Sequence, residues 1–372
     1  MLFSTKRESR PIMFSKYARE VHRTQSPCSS DYRRMMLRPC EHVARRILCH
    51  RTPPLRMAHS TWSNFQRESK QNSVIERSRI LTANDEHGLL EFAPVEEAPC
   101  MEASACVHEG ASSVVSRFRE NGLLRLNNML PTSDTSVLKH YVDHLLEAGI
   151  KSVGGTKGTP FLHLFGPVMV RQNRFDVLLP LDKIVLPIVQ RIMSHLSNVL
   201  IELTGADTCL CELSALVSDP QSPGQPVHHD TALFEGSNRR MSLLVALQDV
   251  HEDMGPTIFF PSTNTEEWHI NYMNRGKELE DLLENDNHMM GVLNEGDAVL
   301  YDTNLLHCGS ANRANKRKNQ GGIVPEARRT LLVVSVQVEN QLNAGDHSNI
   351  RPGYRGKFRI VDHAKWHVAV EA

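Results

Sequence analysis

Long apolar runs are missing from this 372-residue chain: no segment approaches the roughly 20 consecutive apolar residues that cross a bilayer. The N-terminus also lacks the apolar core of a secretory signal. Aromatic residues are few, at 6%, and no basic segment interleaves them, so the stacking platforms of single-strand nucleic-acid binders are absent. Net charge is close to zero, at −1, which gives no overall attraction to nucleic acid or acidic surfaces. Eight cysteines form no secretory framework. Cys209 and Cys211 are two apart on one strand face with no second pair to complete a zinc site, so the thiols read as reduced. These absences point to a soluble intracellular protein, with oligomeric state left open.

What is present divides unevenly. Residues 1–60 hold 13 Lys+Arg against 4 Asp+Glu, leaving 29 basic and 39 acidic side chains for the remaining 312. Residues 1–110 therefore read as a basic, disordered extension without chemistry. An Arg- and Ser-rich, acid-poor start is also the composition of a transit peptide. That reading would place the protein in a mitochondrion or plastid; without it, the expected location is the cytoplasm.

From residue 111 regular patterns begin and run to residue 372. Ser112–Glu120 predicts a helix, Leu123/Leu124/Leu126 a strand, and Ser133 caps a helix through Ala148 with Val137, Tyr141 and Leu145 on one face. Leu186–Leu203 is strongly helical and ends at Gly205. The period then changes. Strands are expected at Thr208–Val217, Met241–Val250, Thr257–Pro261, Met290–Leu293, Ala298–Tyr301 and Thr330–Val338, with one helical insert at Asn274–Asn285. Helices followed by many short strands predict a mostly β fold with flanking helices: a double-stranded β-helix, or jelly-roll, core.

Within this frame three side chains carry the chemistry. His228 and Asp230 share one face of an extended strand, because side chains repeat every two residues there. His307 follows 77 residues later, delivered by the Gly296-Asp297 turn and a short strand. Two imidazoles and a carboxylate on one face of an octahedron hold Fe(II) and leave three positions open. His-x-Asp alone is weak, and a second copy, His251-Glu252-Asp253, falls in a loop, where a solvated role is expected. A keto-acid co-substrate further needs a cation for its distal carboxylate, and arginine matches a carboxylate bidentately. Arg328 and Arg329 open the last strand, and only one can face inward. Parity with the Thr330 hydroxyl selects Arg328, with Arg329 as the alternative. Arg171 and Arg174 are candidates for a substrate carboxylate or phosphate, or a solvated turn; Phe234, Trp268 and Phe260 are candidates for an apolar pocket, or for simple packing.

The ordered set Gln225-Pro226-Val227-His228-His229-Asp230-Thr231, Gly255-Pro256-Thr257-Ile258-Phe259-Phe260-Pro261, Gly296-Asp297, Asp302, His307-Cys308-Gly309-Ser310 and Arg328-Arg329-Thr330-Leu331 resembles the phytanoyl-CoA dioxygenase family of oxygenases. The resemblance spans about 111–340. It implies a jelly roll, Fe(II), 2-oxoglutarate and O2, with oxidation of a C–H bond of a small-molecule substrate and release of succinate and CO2. It also places Thr257 beside the co-substrate and Gln225 beside the substrate. Hydroxylation is favoured over halogenation, since halogenating relatives lose the carboxylate that Asp230 supplies. One departure stands out: where the family follows this strand with Pro-Gly-Ser/Thr-His, the chain reads Pro261-Ser262-Thr263-Asn264. Two other classes fit the same residues less well. One is a cupin-like metal enzyme that needs no 2-oxoglutarate and no buried arginine; the other is an inactive scaffold.

Overall fold

The computed structural model describes residues 93–94 (backbone), 100–152, 164–231, 239–274, 277–284, 288–314, 327–338, 349–351 and 353–368. The chain divides into a unit ending at Met57 and a unit from Ala58 onward, and the described residues fall in the second. The expected extension is therefore almost wholly outside the described residues, as is Phe234.

The elements, in chain order, are β1 (Ala93–Pro94), β2 (Cys100–Glu102), α1 (Ala105–His108), α2 (Ala111–Asn121), β3 (Leu123–Asn127), α3 (Thr132–Ser152), β4 (Arg174–Leu178), α4 (Val185–Thr204), β5 (Thr208–Ser218), β6 (Met241–Ala246), β7 (Thr257–Phe259), α5 (Glu266–Asn274), α6 (Lys277–Glu284), β8 (Met289–Met290), β9 (Ala298–Asp302), β10 (His307–Gly309) and β11 (Arg329–Val338). They build a seven-stranded sheet in the order β2-β3-β9-β6-β11-β5-β4 and a four-stranded sheet in the order β1-β8-β7-β10. This is the mostly β jelly-roll frame with flanking helices that the sequence predicts. Cys100–Glu102 pairs with β3 and Met101, Ala103 and Cys106 are buried, so residues ahead of the change of pattern at residue 111 also belong to the sheet and its core.

Strand alternation produces two cores. Phe259 of the small sheet meets Leu244, Val299, Tyr301, Leu331 and Val333 of the large one in the space between the sheets. The opposite face of the large sheet, with Val217, Leu332, Val334 and Val336, is covered by the helices. In α4 the residues Val185, Ile188, Val189, Ile192, Met193, Leu196, Val199 and Leu200 are buried at helical spacing, and Asp182 accepts hydrogen bonds from Ile184 N and Val185 N at its start. In α3 the buried stripe is Leu138, Val142 and Leu146, one position round from the expected Val137/Tyr141/Leu145; Val137 itself is exposed. The insert after β7 is two helices, starting at Glu266 and not at residue 274, because the Thr265 hydroxyl accepts from Trp268 N at the helix start. β4 had no counterpart in the sequence reading. It lies beside β5 with Arg174 opposite Ser218, and this strand, with β11 on the other side of β5, shapes one wall of the site.

Candidate metal and co-substrate site

His228 and His307 lie on neighbouring extended segments joined by two backbone hydrogen bonds of 2.8 and 2.9 Å. Asp230 N donates to Thr303 O at 2.9 Å, which fixes the third member. The ligand atoms of His228, Asp230 and His307 all lie within 4.8 Å of one another. Each imidazole ties its Nδ1 to a backbone carbonyl, His228 to Pro226 at 2.8 Å and His307 to Leu305 at 2.9 Å. Nδ1 must then carry the proton, and the Nε2 lone pairs are left facing Asp230 at 3.6 Å from each oxygen. A hydrogen bond from the far ring nitrogen to a carbonyl fixes the tautomer and orients a histidine for a metal. The donor set, two imidazole nitrogens and one carboxylate, suits Fe(II) with open positions. Among the described residues no other group of three His, Cys, Asp or Glu converges in this way.

The electrostatics agree. Burial pushes the His228 imidazole down to about 4, with nearby His307 adding to the effect, so the ring is neutral and ready to bind. Burial opposes the Asp230 charge, but His307, His228 and then Arg240 outweigh it and hold the carboxyl below its usual range. Its side chain is still 36% exposed, which is the open side of the site. Tyr301 donates to Asp230 Oδ2 at 3.0 Å, and burial followed by the Asp230 charge raises its phenol well above its ordinary range, keeping it a donor. His229 turns the other way and stacks on His269 of α5, ring centroids 3.9 Å apart.

A pH prediction follows for the metal-free protein. An unfolded histidine titrates near 6.5, while folded His228 resists protonation down to about 4. Above pH 6.5 both states are neutral and no linkage acts. As pH falls from 6.5 to 4 the unfolded chain binds the proton and the folded one does not, so stability is lost over that window, by roughly 3 kcal/mol at most. The check is chemical denaturation at a series of pH values, with His228→Asn as reference. The variant is expected to lose less stability over this window; parallel curves would contradict the account.

Arg329 is 0% exposed. Its guanidinium donates to Gly255 O and, at 3.0 Å, to Ser218 Oγ. Arg174, 1% exposed, reaches the same Ser218 Oγ at 3.1 Å and Ser310 O at 3.4 Å. The two arginines occupy one cross-strand row, Arg174–Ser218–Arg329. Burial, and for Arg329 also Arg174, pushes these guanidiniums down to about 9 and about 10. Arg329 Nε and Arg174 Nη1 are buried without a hydrogen-bond partner, and no carboxylate of the described residues pairs with either. Two desolvated cations side by side are costly without an anion. Gly255, whose carbonyl receives Arg329, lies tight against the backbone beyond β10: its φ is +75°, and a Cβ there would fall 2.6 Å from Ser310 O and 2.8 Å from the Ala311 carbonyl carbon.

The inward arginine is thus Arg329, contrary to the expected Arg328. Arg328 sits one residue before β11 and is turned away, donating to Asp219 at 2.5 and 3.2 Å and to Asp143 at 2.8 Å. Thr330, which suggested Arg328, is itself on the helix-facing side, opposite Val217. Thr257 is buried on β7 opposite Gly309. Gln225 accepts from Gly309 N at 3.0 Å and its own N donates to Gly309 O at 2.8 Å, so it clamps β10. Arg171 lies exposed in the turn before β4, and Trp268 packs with Phe260, Leu306 and Val227. The second His-x-Asp copy is exposed, as expected. Asn264, at the departure from the family pattern, donates to Asp302 at 3.0 Å. Sequence reasoning missed Ser218, Tyr301 and Arg240; for Tyr301 the available signal was a phenol on the Gly-Asp strand six residues before His307.

A sequence profile of the family described as phytanoyl-CoA dioxygenase (PhyH) matches residues 118–319, more than half of the chain. No curated protein matches it. Among solved structures it is similar to AviO1 from Streptomyces viridochromogenes Tue57 (15% identity, TM-score 0.43, 63% of this chain and 97% of that one). It is also similar to the non-heme alpha-ketoglutarate-dependent carbocyclase SnoK from nogalamycin biosynthesis (17%, 0.44, 65% and 87%). A third is HygX from Streptomyces hygroscopicus, with nickel and 2-oxoglutarate bound (13%, 0.41, 60% and 85%). No described helix is long and apolar enough to cross a membrane.

Proposed function

Since the chain belongs to the phytanoyl-CoA dioxygenase family and is an Fe(II)- and 2-oxoglutarate-dependent oxygenase, we propose that His228, Asp230 and His307 hold the iron and that Arg329, aided by Arg174 and Ser218, binds the distal carboxylate of 2-oxoglutarate. The observation that carries this reading is the buried arginine pair without a carboxylate partner, set along the strand from the triad. His307 and Ser310 are three residues apart on and just beyond β10, so the arginines lie roughly 10 Å along the strand from the metal ligands. That span suits a five-carbon diacid chelated at one end and salt-bridged at the other.

Bound iron would supply activation of O2 coupled to decarboxylation of the keto acid, and so oxidation of a substrate C–H bond. The chain's own part is placement. His228 and His307 present Nε2 because Pro226 and Leu305 hold the opposite ring nitrogens. Arg329 and Arg174 set the direction in which the keto acid enters. Phe259, stacked 6.2 Å from His307, and Leu305 exclude water from the inner side. The outer side is open at Asp230, and there the substrate is received. We further assign the substrate to small molecules and the outcome to hydroxylation. Residues 1–92, ahead of β1, are read as an extension outside the catalytic domain, whereas β1 and β2 belong to its sheets.

The test is turnover-coupled succinate release with a panel of small carboxylates and phosphates. Stimulation of succinate formation by one substrate, with matching O2 consumption, is expected. Succinate formation that no candidate raises, alongside substrate conversion without 2-oxoglutarate, would favour the cupin-like alternative.

A further inference from the structure

Asp230 is the member of the triad with two equivalent donor atoms, and its surroundings treat them unequally. Oδ1 lies 3.6 Å from His228 Nε2, and Oδ2 lies 3.6 Å from His307 Nε2, so both oxygens edge the space between the imidazoles. A carboxylate so placed can close on a cation through one oxygen or two. Tyr301 breaks the symmetry by donating to Oδ2 at 3.0 Å.

The phenol is itself firmly held. Its ring packs 5.3 Å from Phe259 and 5.1 Å from His307. Ser242, the residue directly opposite on β6, acts on the phenol through its hydroxyl. The same cross-strand row continues from Ser242 Oγ to Ser335 Oγ at 2.9 Å and from Ser335 to Glu212 at 2.5 Å, where Arg240 also donates to Glu212. Four adjacent strands, β9, β6, β11 and β5, therefore back one hydrogen bond to one ligand oxygen.

We propose that Tyr301 is a positioning residue that makes Asp230 a one-oxygen ligand, reserving Oδ2 for its own hydroxyl and leaving Oδ1 for the metal. The inference rests on the reading of the triad as the iron site and deepens it. A chelating keto acid takes two open positions and O2 the third, so a second carboxylate oxygen would occupy a position that the reaction needs. Phenylalanine at 301 would fill the same space and release Oδ2.

The experiment compares the unmodified protein with Tyr301→Phe, each loaded with Co(II) in the absence and presence of 2-oxoglutarate. With Co(II) alone, the variant is expected to show altered visible ligand-field bands. A second carboxylate oxygen displaces a bound water, and its narrow bite distorts the octahedron. Its Co(II) affinity should not fall, while the 2-oxoglutarate concentration needed for half-saturation should rise about tenfold, the scale of outer-shell effects at metal sites. Ser242→Ala, which loosens the phenol without removing it, should fall between the two and serves if the Phe variant folds poorly. Identical Co(II) spectra would overturn the proposal, as would a loss of Co(II) affinity that tracks thermal stability with no spectral change. If the spectra differ but 2-oxoglutarate perturbs neither protein, the positioning role stands and the co-substrate reading falls.

Discussion

Replacing His228 by alanine is expected to lower Fe(II) affinity by a hundredfold or more and to abolish 2-oxoglutarate turnover. The three ligand atoms are already gathered within 4.8 Å, so binding costs little reorganisation and each bond contributes directly. A hundredfold loss corresponds to about 2.7 kcal/mol. Two neighbours provide the controls. His229 is adjacent in sequence but stacks on His269, so His229→Ala should leave metal affinity within a few-fold. His251, in the exposed second copy of the motif, should have no effect. Competition of the metal-free proteins against a coloured Fe(II) chelator under anaerobic conditions measures all three. Retained affinity in His228→Ala would remove the triad from the account.

Arg329→Gln should weaken 2-oxoglutarate binding by on the order of a hundredfold while Fe(II) binding stays unchanged. The guanidinium is wholly buried and has no carboxylate of the described residues to pair with. An arriving carboxylate would therefore be met by a desolvated donor, and truncating one side of such a pair costs roughly 2–5 kcal/mol. Arg328→Gln should change 2-oxoglutarate affinity less than threefold. It breaks the contacts to Asp219 and Asp143, partly exposed ion pairs that contribute about 1 kcal/mol or less each to stability. The comparison is sharp because the two arginines are adjacent: reversal of the two effects would restore the parity inferred from sequence.

That parity shows where sequence reading stops. Alternation guarantees that Arg328 and Arg329 face opposite ways, but it does not say which way is inward. The Thr330 hydroxyl looked like a co-substrate contact, yet it belongs to the face that carries Val217 and Leu332 against the helices. The deciding fact, Arg329 opposite Ser218, is a pairing across 111 residues. Arg174 was obscured for a related reason. Arg174-Phe175-Asp176-Val177-Leu178 is short and charged, and it becomes a strand by lying along β5, with polar residues turned into the barrel. The triad was legible because its members carry their own chemistry: His-x-Asp on a strand and a histidine after a Gly-Asp turn constrain geometry before any fold is known. The jelly-roll class followed from the change of period after Gly205. The buried face of α3 missed by one position because Val137, Tyr141 and Leu145 and the truly buried Leu138, Val142 and Leu146 are neighbouring stripes of nearly equal apolarity.

Anaerobic titration of the metal-free protein with Fe(II) and then 2-oxoglutarate tests the central claim most directly, through the weak visible charge-transfer band of a keto acid chelated to ferrous iron. The account predicts a band at one equivalent of iron, absent in His228→Ala and requiring far more 2-oxoglutarate in Arg329→Gln. Tight stoichiometric metal binding with no band at any 2-oxoglutarate concentration would contradict it.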